Sequence, residues 1–141
     1  MRLHSIISHL VFVFALSLSF ACTKKEPVYT ISEMFKMAKE ADASFEEVFI
    51  PDTQNFRHLR VICDNYGEGC KGNGKRFKVK GVDILVIEFE SESTARAEAQ
   101  RINQWHARNW LFDDVTNEPI LESYVTRAFK AVNPNRPEKK E

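Results

Sequence analysis

The sequence predicts an α+β domain, a small antiparallel sheet with helices on one face. Three observations carry that prediction. Segments with apolar residues three and four apart alternate with short runs rich in Val, Ile, Phe and Trp. The helical segments open on recognisable capping residues. One stretch, RFKVKGVDILVIEFE, reads as two strands folded about Lys80 and Gly81.

The first element is announced by TISEMFKMAKEADA, where Thr30 and Glu33 form a capping box that satisfies free backbone donors reciprocally. Ile31, Met34, Phe35, Ala38 and Ala41 then recur at helical spacing, which predicts a helix over 31–42. SFEEVFIPD is read as a short strand through VFI before Pro51, with a short helix capped by Ser44 as the alternative. Asp52 is placed to cap a second helix in which Phe56, Leu59, Ile62 and Tyr66 share a stripe and Gly67 is the stop. CDNYGEGCKGNGK, with four glycines between Gly67 and Gly74, reads as a connecting loop.

In the hairpin that follows, Phe77 and Val79 alternate with Arg76, Lys78 and Lys80, an edge-like pattern. DILVIEF is apolar at almost every position, so this strand belongs in the middle of its sheet. SESTARAEAQRINQWHARN predicts a long helix capped by Ser91 or Ser93, with Ala95, Ala99, Ile102 and His106 on one stripe. WLFDDV is a strand. NEPILESYVTRAFKAV is a last helix with Asn117 as cap and Pro119 in its first turn. Two strand-helix-strand units in this order suggest a ferredoxin-like split β-α-β sheet with extra helices at both ends. A three-stranded sheet with more helices is the alternative if VFI is helical.

The N-terminal segment is of another kind. Arg2 precedes an uncharged stretch from Leu3 to Ala21, and charge resumes only at Lys24, Lys25 and Glu26. A basic start, an apolar middle and small residues before a cut make a secretory signal over 1–21. The run also carries His4, Ser5, Ser8 and His9, which makes it a poor spanning helix, although an uncleaved anchor is the competing reading. In SLSFACTKKE, Ala21 and Cys22 stand where a cut leaves cysteine as the first residue. There the chain resembles a bacterial lipoprotein precursor. Leu18 and Phe20 depart from that family's usual box. The resemblance implies a lipid on the Cys22 thiol, and Thr23 after it implies transfer to an outer membrane.

Cysteine usage agrees. The chain has three, Cys22, Cys63 and Cys70, and an odd thiol in an oxidising compartment has to be accounted for. With Cys22 lipidated, Cys63 and Cys70 form a pair; seven apart and near a helix end, they suit a structural bridge better than a dithiol catalyst. The domain plan is thus a signal peptide (1–21), a lipidated N-terminus and linker (22–30), one domain (31–132) and a loose tail (133–141). Without residues 1–21 the chain carries a net charge near −1, which gives no pull toward nucleic acid.

Several groups are candidates for function. Lys71, Lys75, Arg76, Lys78 and Lys80 fall in ten residues without an acid; they form either a solvated strand face or a patch for an anionic partner. Trp105, His106, Arg108, Trp110 and Asp113 sit close enough in sequence to line a pocket, although Trp110 and Phe112 share one strand face, the spacing of core residues. No catalytic motif appears, DNYGEG lacks the ligands of a calcium loop, and His58 and His106 stand alone, so no catalytic residue, metal or cofactor is expected. The leading expectation is a non-enzymatic, lipid-anchored envelope protein that faces the periplasm or the cell surface and binds or supports another envelope component, an envelope protein or peptidoglycan. One alternative is peptidoglycan or glycan binding, because FKVKGVDILVIEFESESTARAEAQRI resembles the later half of a sporulation-related repeat domain. A second is a small hydrolytic enzyme with its pocket near Trp105 and Asp113.

Overall fold

The computed structural model describes residues 27–72 and 74–136. The expected signal peptide, Cys22 and the last five residues lie outside that range. Helix α1 (Ile31–Ala41) begins at the expected capping box: the Glu33 amide donates to the Thr30 hydroxyl, and the Thr30 amide donates to the Glu33 carboxylate. Strands β1 (Glu46–Glu47), β2 (Lys75–Val79) and β3 (Val82–Glu88) follow, then helix α2 (Glu92–Ile102), strands β4 (Trp105–Ala107) and β5 (Trp110–Asp113), and helix α3 (Pro119–Phe129).

The five strands form one antiparallel sheet in the order β1-β2-β3-β5-β4. β3 is central, as its apolar sequence requires. Its alternate residues feed two cores. Ile84 and Val86 join Phe77, Val79, Trp110 and Phe112 beneath α1 and α3, whereas Leu85 and Ile87 join Leu111 beneath α2. The α+β class therefore holds, but helices cover both faces of the sheet rather than one. The reason lies in DILVIEF itself: a strand apolar at successive positions needs cover on both sides.

Only one of the two expected split units is present. β3 and β4 run parallel on either side of β5 and are joined by α2. The other is replaced because β1 pairs antiparallel with β2, and the chain between them makes two 3₁₀ turns, Gln54–Leu59 and Cys63–Asn65, instead of the helix expected from Phe56, Leu59 and Ile62. The break has a local cause. Arg60 and Ile62 are extended, which turns Val61 into the α2-side core and leaves Phe56 and Ile62 exposed. Asp52, the expected cap, pairs with Arg60 instead.

Two other boundaries moved. The strand expected at VFI lies two residues earlier, at Glu46–Glu47, and Phe49 is 84% exposed. The long helix expected through His106 stops at Ile102, because Asn103 turns left-handed at φ 56° and the Gln104 amide reaches back to the Ala99 carbonyl. His106 is therefore a strand residue. α3 starts where Pro119 predicts, although the cap is Glu118 rather than Asn117. Residues 133–136, expected to be loose, pack: Asn133 is buried against Asn103, and Arg136 pairs with Glu122.

Candidate functional site

The cross-link comes first, since it organises the longest loop. Cys63 and Cys70 are disulfide-bonded. Cys70 bridges the backbone of Phe89 at the end of β3, and the Lys71 amide donates to the Glu88 carbonyl. The bridged loop lies over the α2 face. There the Tyr66 hydroxyl donates to Asp113, and burial with the nearby Asp113 carboxylate pushes the Tyr66 phenol well above its usual range. Glu98 is buried under Gly67 and held by two bonds from Arg101; a Cβ on Gly67 would stand 2.6 Å from the Glu98 carboxylate. A side chain at position 67 would therefore oblige the Glu98 carboxylate to shift.

The cationic run is laced to acids from other parts of the chain. Each of the five cations meets an acid brought from elsewhere: Lys71 meets Glu88, Lys75 meets Glu47, Arg76 and Lys78 share Asp83, and Lys80 meets Asp42. The strand also divides them. Lys75 shares the α1 face with Phe77 and Val79, and Arg76 and Lys78 share the α2 face. These half-exposed pairs contribute ~0–1 kcal/mol each. Five cations thus meet four acids, so the run keeps a local excess of one positive charge.

The aromatic and charged group around β4 and β5 is likewise split by the sheet. Trp105 and Trp110 face the α1 and α3 side, where Trp110 is core and Trp105 packs at its margin beneath the Arg136 guanidinium, 5.8 Å from the ring centroid. Asp113 and His106 lie on the α2 side with Leu111, and Arg108 occupies the β4–β5 turn, paired with Glu92. These five residues do not converge on one concave surface.

His106 is nonetheless unusual. It is only 4% exposed, and neither ring nitrogen has a hydrogen-bond partner among the described residues. Burial lowers its pKa; the Glu92 carboxylate opposes that shift and Arg96 reinforces it. The folded state therefore takes up this proton at a lower pH than the unfolded chain does. As pH falls below about 6.5, the ordinary histidine value, the unfolded state binds more protons and stability drops until the folded pKa is passed. His106→Leu should flatten this part of the pH profile. Urea midpoints measured from pH 7.5 to 5 would check it, and parallel curves for variant and parent would refute it.

Two further features were not legible as sites in the sequence. A groove of about 280 Å³ is lined by Lys80, Pro119, Ile120, Ser123, Tyr124 and Arg127. It joins the β2–β3 turn to one stripe of α3. The helical spacing of residues 120, 123, 124 and 127 was its one sequence signal. At the other end of β3, the incoming chain is clasped. The Tyr29 amide donates to Asn109 Oδ1, and its carbonyl accepts from both Asn109 Nδ2 and Trp110 Nε1. Asn109 is buried and also reaches Glu88. The segment expected to be a free linker up to residue 30 is thus part of the domain from Tyr29 onward.

Among the described residues no group of three or more His, Cys, Asp or Glu is placed to hold a metal ion, and no helix is long and apolar enough to cross a membrane. No protein family, curated protein or solved structure matches this chain.

Proposed function

We propose that this chain is an exported lipoprotein whose Cys22 carries the lipid, and whose small α+β domain serves as a non-enzymatic binding or structural accessory in the cell envelope. One observation carries the reading. Cys63 and Cys70 are bonded to each other, so of three cysteines only Cys22 is left over, and it sits at the seam of an apolar leader and a charged mature start. A disulfide suits an oxidising compartment, and a lipidated Cys22 removes the odd thiol. Each buried acyl methylene adds about 0.8 kcal/mol of membrane affinity, so several chains hold the protein irreversibly on a cellular time scale. Thr23 favours an outer membrane, with the domain in the periplasm or at the surface.

Intact-mass measurement on protein extracted from the membranes of its own host tests this. The expected mass exceeds that of a chain starting at Cys22 by a diacylglycerol and an acyl group, and Cys22→Ser loses both the added mass and the membrane association. An unmodified Cys22 in membrane-extracted protein would refute the anchor. A second reading, cell-wall glycan binding, draws on residues 77–102, which fold as a hairpin followed by α2, the order of the sporulation-related segment they resemble. Failure of the purified protein to sediment with sacculi would eliminate it.

A further inference from the structure

The end of the domain where the chain enters carries a strip of exposed apolar side chains. Val28 precedes the clasped Tyr29, Ile31 begins α1, and Phe35 lies one turn on; all three are more than a third exposed. The inner side of the Phe35 ring rests on Phe45 and Phe77, which places it over the β1–β2 side of the sheet. Phe49, the most exposed large apolar residue among those described, belongs to the same end. It follows two residues after Glu47, whose carboxylate meets Lys75 at the start of β2. Lys75 pairs with Val86, two residues before the Glu88 that touches the Asn109 clasp.

We infer that Val28, Ile31, Phe35 and Phe49 form a membrane-contact surface that seats the domain against the outer zone of the bilayer instead of leaving it to swing on its tether. This inference rests on the lipid anchor at Cys22. The length of the tether selects the occupant. Four residues, 23–26, separate the lipidated Cys22 from the described chain, and the five steps from Cys22 to Pro27 span at most about 18 Å when fully extended. A strip that starts two residues later cannot stand far from the headgroups. Lys24 and Lys25 lie within that tether, suited to an anionic lipid surface. Aromatic side chains at such a depth sit in the interface between headgroups and acyl chains. A protein partner on this strip would have to enter the gap between domain and lipid.

The test uses lipidated protein purified in detergent and reconstituted into phosphatidylcholine–phosphatidylglycerol vesicles, with and without bromine on the acyl chains. Phe49→Trp provides the probe. Ile120→Trp, exposed at the start of α3 and at the opposite end of β3, is the control; the parent, with its own Trp105 and Trp110, supplies the background. The expected result is that emission added by Phe49→Trp is quenched in brominated vesicles, as expected of an indole seated in the interface, whereas that added by Ile120→Trp does not change. If the protein floats with the vesicles and the Phe49→Trp emission is unquenched, the anchor stands and the docking surface is refuted. If it is unquenched but blue-shifted, with a cross-linked dimer, the strip is covered by a second copy and the inference fails. If the protein does not float at all, the anchor itself is wrong and this inference falls with it.

Discussion

Phe45→Ala is expected to destabilise the domain by about 3–5 kcal/mol, the usual range for deleting a buried phenyl ring. Phe45 is 1% exposed and lies at the centre of an aromatic cluster. Its ring stacks on Phe77 of β2 at 4.5 Å and on Tyr124 of α3 at 5.9 Å, and Phe35 of α1 meets it edge-on at 5.8 Å. Removing it opens a cavity bordered by α1, β2 and α3. For a domain of ordinary stability, ~5–15 kcal/mol, that is a large fraction of the total. The midpoint of thermal unfolding should drop on the order of 10–20 °C. Phe49→Ala, four residues away and largely exposed, should stay within about 0.5 kcal/mol. Similar losses for the two variants would mean that the aromatic cluster is not where the stability of this face resides.

Replacing Cys63 and Cys70 together by Ser should cost about 2–3 kcal/mol, because the bridge closes a short loop whose freedom in the unfolded chain is otherwise large. The cost has a structural component as well. The bridged loop places Tyr66 on Asp113 and Gly67 over Glu98, and its return leg bonds to Glu88 and Glu90 beside the sheet. Urea unfolding gives a distinctive signature: the midpoint falls and the m-value rises, since the unfolded state without the bridge exposes more surface. An unchanged midpoint would mean that the cross-link adds nothing to the fold. The same comparison on the parent, oxidised and reduced, separates the bridge from the effect of the serines.

Much of the architecture was legible because it rests on local physics. The capping box at Thr30 and Glu33, the turn at Lys80 and Gly81, the Pro119 start of α3 and the centrality of DILVIEF each depend on residues within a few positions of one another. The helix expected over residues 53–66 failed for the opposite reason. Its spacing was helical, but Val61 is drawn into a core built by Ile87, Phe89, Ala95 and Leu111, and Cys63 is tied to Cys70; burial and a covalent bond outweigh a weak periodic preference. The helix through His106 was overestimated because nothing in NQWHAR announces a break except Asn103, whose left-handed conformation ends α2 and lets Trp105–Ala107 pair with β5.

The candidate surfaces divide along the same line. By itself the sequence determined that Cys63 and Cys70 would pair, that Trp110 and Phe112 would be core, and that an apolar stretch meets a charged one at Cys22, because each depends on composition, parity or position along one strand of text. Only the tertiary structure decided that acids from β1, β3 and the α1–β1 connection would pair with the cations around β2, that the sheet would separate Trp105 from Asp113, and that Asn109 would clasp Tyr29 eighty residues away. The physical reason is range. Caps, turns and strand parity are set by neighbours in sequence, whereas charge pairing and burial are set by whatever the fold brings within a few ångströms.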